Sequence, residues 1–155
     1  MKSNSGTNHI HPRVRLVIIK NGRMLFSYDS ERDYYFYIGG HVEYGETLAE
    51  ACIREVKEEC GEDVNFTFGK ILYIRDYIKP GEDEHSVEFY ILGDVDKFTE
   101  IEGKKDVQFG GKHWQTWLGL DKLPENIFPR TLTSKLLEDY RHGFPMQGEY
   151  LGEID

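Results

Sequence analysis

Cysteine is almost absent from the chain: among 155 residues there are only Cys52 and Cys60. They fall on one predicted helix with backbones about 12 Å apart, too far for a disulfide. Long apolar runs are missing as well, and nothing approaches the roughly 18 residues that cross a bilayer. No charged segment followed by an apolar one opens the chain as a secretory signal would. Positive charge is in deficit, with 19 Lys and Arg against 28 Asp and Glu, a formal net charge of −9 and a pI near 5.2. That balance argues against gripping long nucleic acid through the protein's own surface. These absences lead us to expect a reduced, cytoplasmic protein without a membrane partner. Small anionic ligands stay open to it where metal ions bridge them to carboxylates.

What is present describes a globular domain, with 39% hydrophobic and 14% aromatic residues. The length fits one domain. Residues 1–12 are polar and are expected to form a flexible lead-in, with His9 and His11 solvated, ahead of a single domain over 13–155.

The most informative stretch runs from Gly39 to Val64, GGHVEYGETLAEACIREVKEECGEDV. Gly39-Gly40 predicts a turn. Thr47 with Glu50 three residues on predicts a capping box and a helix. Ala49, Cys52, Ile53, Val56 and Cys60 recur at helical spacing and predict its buried stripe. Glu55, Glu58 and Glu59 share another side, where like charges repel by a few tenths of a kcal/mol per pair. A solvated acidic face is the ordinary explanation of such a run. A divalent cation is the alternative, since carboxylate oxygens suit Mg²⁺ and Mn²⁺.

Around this helix the pattern predicts strands. Val14–Ile19 and Met24–Tyr28 flank Asn21-Gly22, a strong hairpin signal. Tyr34–Ile38 is a short aromatic strand, in which alternation assigns about two of the four aromatic residues to the core. Val64–Tyr73 is broken by Gly69 and ends at Arg75, Asp76 and Tyr77. Along Ser86–Gly93, Glu88 shares a face with Tyr90. Asp94–Lys112 is a long charged loop of the kind that forms lids or binding loops. His113–Leu118 is a last strand, Thr131–Tyr140 a second helix, and residues 141–155 an extension or contact arm. No internal repeat or second domain is visible.

Gly40, Glu46, Arg54, Glu55, Val56, Glu58, Glu59 and Gly61 stand in the order G-x5-E-x7-R-E-U-x-E-E-x-G, U being a bulky aliphatic residue. This resembles the signature box of the Nudix, or MutT-like, hydrolases. Two positions depart from the family's pattern: Glu62 stands where it has an aliphatic residue, leaving Val64 as substitute anchor, and Ile38 precedes the glycine pair. The resemblance implies an α/β (α+β) three-layer sandwich with a mixed sheet between helices. It also implies a metal-dependent pyrophosphohydrolase acting on a nucleoside diphosphate linked to another moiety. We rank nucleoside and deoxynucleoside triphosphates first among substrates, ahead of ADP-ribose-like and dinucleoside polyphosphate compounds.

Carried over residue by residue, Glu55, Glu58 and Glu59 with the Gly39 carbonyl would hold Mg²⁺ or Mn²⁺. Glu58 or Glu59 would be the general base, unless Glu100, Glu102 or Asp106 of the long loop supplies it. Arg54, paired to Glu46, would brace the glycine loop. Arg75, Glu88 and Tyr37 are the expected substrate contacts, and the sequence leaves the oligomeric state open, a homodimer included. The competing class is a non-catalytic nucleotide-sensing module on the same fold, in which Arg54, Glu55, Glu58 or Glu59 would be eroded. All four are intact. A Nudix-fold isomerase relying on an active cysteine fits poorly, because Cys52 and Cys60 both lie on the apolar stripe.

Overall fold

The hairpin forms as its turn residues dictate. In the computed structural model, which describes residues 8–155 apart from the Val107 side chain, β1 (His11–Lys20) turns through Asn21 and Gly22, at φ 53° and 72°, into β2 (Arg23–Asp29). Both turn residues are left-handed, as the tight hairpin demands. Met1–Thr7 of the expected lead-in lie outside the described residues, and His11 and Pro12 are already part of β1.

β1 organises the rest. It runs parallel to β6 (Glu84–Val95) and antiparallel to β4 (Ile38–His41). Beyond β6 lie β5 (Phe66–Lys79), antiparallel, and β9 (Glu149–Gly152), parallel to β5. At its other end β1 hands over to β2, which pairs with β7 (His113–Gly119) and β3 (Tyr34–Phe36), and β3 pairs with β8 (Ile127–Phe128). The result is one curled mixed sheet of nine strands among the described residues.

β1 is buried on both faces, which is why it reads as an apolar run. Val14, Leu16 and Ile18 face α1 (Leu48–Cys60), packing with Cys52, Val56, Cys60 and Val64. Val17 faces the opposite core, where Leu132 and Leu136 of α2 (Arg130–Arg141) meet Phe26, Tyr37, Tyr73 and Tyr90. Helix, sheet and helix form an α/β sandwich.

Four expectations change. The glycine pair lies inside β4 rather than in a turn, paired through Gly39 to Arg15 and through Gly40 to Val14. The strand expected over Tyr34–Ile38 divides at Tyr37 into β3 and β4. β5 is not broken at Gly69 but bulges there, where a methyl group would lie 2.5 Å from the Leu92 carbonyl oxygen, and it continues through Arg75, Asp76 and Tyr77. The buried stripe of α1 is rotated: Ile53 is 41% exposed, while Ala51, Glu55 and Glu59 are buried beside Cys52, Val56 and Cys60. β4 presents glycines to the helix at that place, so α1 lies down on backbone with its carboxylate flank inward.

Candidate active site

Thr47 caps α1: its Oγ1 accepts the Glu50 N–H at 3.1 Å, and its hydroxyl donates to the Glu50 carboxylate at 3.1 Å. The capping box therefore closes through the hydroxyl. At the helix's other end Gly61 is the C-cap, and Val64, 3% exposed, fills the anchor position that Glu62 vacates.

The glycine pair is glycine because two carboxylates and a neighbouring strand press on it. Gly39 has φ 142°, and a Cβ there would lie 1.9 Å from the Val14 carbonyl oxygen. Its N–H donates to Glu59 Oε2 at 3.0 Å. A Cβ on Gly40 would lie 2.6 Å from Glu55 Oε1.

Arg54 ties the site together. Its guanidinium grips Glu46 with two bonds, Nη2 at 2.7 Å and Nε at 3.0 Å, donates to the His41 carbonyl at 2.9 Å, and reaches Glu55 at 3.1 Å and Glu58 at 3.3 Å. Its hydrogen bond holds the Glu46 carboxyl below the ordinary glutamate range. Burial pushes Glu55 upward against the pull of Arg54. Glu59 is pushed well up, chiefly by burial and then by the charge of Glu55, with the Gly39 N–H opposing. Packing two carboxylates into a desolvated wall is costly unless a cation joins them.

Among the described residues, no group of three or more His, Cys, Asp or Glu side chains converges as a ready cation site. Glu55 and Glu58 turn to Arg54, and Glu59 turns to Gly39. The donor chemistry nonetheless suits a hard cation, because Glu55, Glu58 and Glu59 line one cavity of about 680 Å³ together with Gly39 and Gly40.

Of the three loop carboxylates, the fold brings only Asp106 toward Glu59. It is 7% exposed, accepts the Gln108 N–H at 2.9 Å, and its charge contributes to the upward shift of Glu59. Glu102 is engaged by Thr116 and Trp117, and Glu100 by the Phe98 N–H.

The opposite wall was not legible in the sequence. His113 Nε2 lies 3.2 Å from Asp29 Oδ2, and its ring stacks on Phe109 at 4.1 Å and meets Phe36 edge-on. These residues come from β7, β2, β3 and the loop, and no spacing links them.

A second cavity, of about 710 Å³, adjoins the first, and Arg13, Arg15, Tyr34 and Phe36 line both. Arg15 bonds Glu88 at 3.0 Å and Arg75 bonds it at 2.5 Å, so two of the expected substrate contacts are paired to each other in the cavity lining. Tyr37 borders the same cavity but is held mainly by the core: at 1% exposure its ring packs between Phe26 and Tyr90, and its hydroxyl meets Thr133 at 2.7 Å. Tyr34 and Phe36 line that cavity with more of their surface exposed.

Comparison with known proteins agrees with the fold and with the box. The NUDIX domain family matches residues 9–136, and the chain belongs to that family. A MutT NUDIX hydrolase from Burkholderia pseudomallei superposes with a TM-score of 0.66 at 22% identity, covering 84% of this chain and 97% of its own. A NUDIX hydrolase from Nitrosomonas europaea gives 0.66 at 23%, covering 89% and 94%. An ADP-ribose pyrophosphatase from Streptococcus suis gives 0.65 at 15%, covering 92% and 100%. At these identities the likeness is one of fold. No curated protein matches the chain significantly.

Proposed function

We propose that the chain is a metal-dependent pyrophosphohydrolase that cleaves the phosphoanhydride of a nucleoside diphosphate linked to another moiety. The observation that carries this reading is the packing of Glu55 and Glu59 against the glycine pair in a cavity that also holds Arg13 and Arg15. Carboxylates and guanidiniums lining one cavity suit a diphosphate held together with divalent cations. Glu55, Glu58 and Glu59, with the Gly39 carbonyl, would hold Mg²⁺ or Mn²⁺. The bound metal would supply charge neutralisation and a more acidic water.

The chain's own residues do the rest. Arg54 fixes the directions of Glu46, Glu55 and Glu58. Arg13 and Arg15 take phosphoryl oxygens at the junction of the two cavities. Glu58 or Glu59 accepts the proton of the attacking water, with Asp106 as the loop's candidate for that role. Relatives of this fold include an ADP-ribose pyrophosphatase and a UDP-X diphosphatase, which fits a substrate of this general form.

The test is phosphate release, after a coupled phosphatase, from nucleoside triphosphates, ADP-ribose, dinucleoside polyphosphates and nucleotide sugars. It is run with Mg²⁺ or Mn²⁺, and Glu59→Gln is the control. Metal-dependent turnover that the variant loses supports the hydrolase. Tight nucleotide binding with no turnover on any compound would replace it with the sensing module.

A further inference from the structure

Four guanidiniums line the first cavity, those of Arg13, Arg15, Arg32 and Arg54. Three of them are paired: Arg13 with Glu84, Arg15 with Glu88, and Arg54 with Glu46, Glu55 and Glu58. Arg32, exposed on the turn between β2 and β3, makes no ion pair within 4.0 Å among the described residues. On the footing of the hydrolase reading, we propose that Arg32 is a further substrate contact, gripping phosphoryl oxygens that the bridging cations leave uncovered.

The turn keeps this guanidinium free although three carboxylates flank it in sequence. Each of them is engaged elsewhere. Glu31 is held by Lys112 Nζ at 2.7 Å, and Asp33 accepts the Tyr28 hydroxyl at 2.5 Å. Asp29 is 3% exposed: its Oδ2 lies 3.2 Å from His113 Nε2, and its Oδ1 accepts the Glu31 and Arg32 N–H groups at 3.0 and 3.2 Å. The buried carboxylate therefore fixes the backbone that carries Arg32 without neutralising its side chain. Farther along, the Asp33 N–H donates to the Asp29 carbonyl at 2.9 Å, and Asn126 Nδ2 donates to the Asp33 carbonyl at 2.9 Å. A turn pinned at both ends has little backbone left to order when an anion binds, which favours the bound state. The planar fork of a guanidinium matches two phosphoryl oxygens at once. In a chain of net charge −9, an uncompensated cation beside the box carboxylates also offsets the local repulsion of an anionic ligand.

Calorimetry with Mg²⁺ and imidodiphosphate measures this grip alone, since the pyrophosphate analogue resists hydrolysis and has neither base nor sugar. Wild type should bind it. Arg32→Ala should bind it about tenfold or more weakly, and Arg32→Lys should fall between, because an ammonium keeps the charge and loses the fork. The difference should shrink as salt is raised, as it does for an exposed charge. Urea unfolding of both variants should match wild type, for no ion pair is lost; an earlier transition would make Arg32 a structural residue and overturn the proposal. On any compound that wild type turns over, Arg32→Ala should raise KM about tenfold and lower kcat less. No binding by wild type, or equal binding by wild type and Arg32→Ala, would also overturn it. Arg32-dependent binding without turnover on any compound keeps the grip and removes the hydrolase. Turnover with KM and binding both unmoved in Arg32→Ala keeps the hydrolase and removes the grip.

Discussion

Gly39 and Gly40 are adjacent, yet they answer to different constraints. At Gly39 a methyl group meets the Val14 carbonyl oxygen of a buried strand and the backbone sits at φ 142°. Overpacking and strain add, and Gly39→Ala should lose about 2–6 kcal/mol in urea unfolding. At Gly40 the obstacle is the far end of the Glu55 side chain. Gly40→Ala should cost only about 1 kcal/mol of stability while displacing Glu55, and turnover should fall by about 10²-fold. Equal stability losses in the two variants would contradict this division. Arg54 acts through others: Arg54→Ala removes the brace on Glu46, Glu55 and Glu58 and should lower both turnover and Mg²⁺ affinity by about 10–100-fold. Normal values for both would reduce Arg54 to a surface ion pair. The identities of these residues are legible in the chain because the box spacing marks them. The close approach of Val14 is not, since it comes from a strand more than twenty residues away.

Between elements, the decisive feature is a ladder of opposite charges across three strands. Arg13 meets Glu84 at 3.0 Å, Arg15 meets Glu88 at 3.0 Å, and Arg75 of β5 meets the same Glu88 at 2.5 Å. Burial alone would raise the Glu88 carboxyl, but Arg15 and Arg75 outweigh it and hold the pKa below the ordinary 4.5. A lowered folded value means that ionised Glu88 stabilises the native state fully above about pH 4.5. That contribution shrinks as pH falls through the lower folded value. Glu88→Gln leaves two guanidiniums without their counter-charge and should cost about 3 kcal/mol at pH 7. The gap to wild type should close as urea unfolding is repeated from pH 4.5 downward; a constant gap would mean that Glu88 acts by shape alone. Strand alternation was enough to put Glu88 and Tyr90 on one face. It gave no means of knowing that Arg15 and Arg75 would flank them. The rotated stripe of α1 has the same cause, because helical periodicity locates a buried side only by apolar residues, and here Glu55 and Glu59 are part of it.

For the molecule as a whole, the tail decides which sheet edge meets solvent. Composition marked residues 141–155 as an extension or contact arm, since glycines and a proline carry no periodicity. Here the segment docks on its own chain. β9 pairs with β5, the Ile154 carbonyl accepts from Arg75 Nε at 2.6 Å, and the Asp155 main-chain oxygen accepts from the Leu132 N–H at 2.8 Å. Leu151 and Ile154 add to the α2 core. Removing 149–155 deletes these bonds and bares the Tyr73–Arg75 stretch of β5, adding to the open edge of that strand. Long uncovered edges recruit other strands. The shortened chain should lose about 3 kcal/mol of stability and should self-associate in size-exclusion chromatography with light scattering, at concentrations where the intact chain keeps a single smaller mass. An intact dimer that falls to monomers on truncation would instead make the segment an arm between subunits.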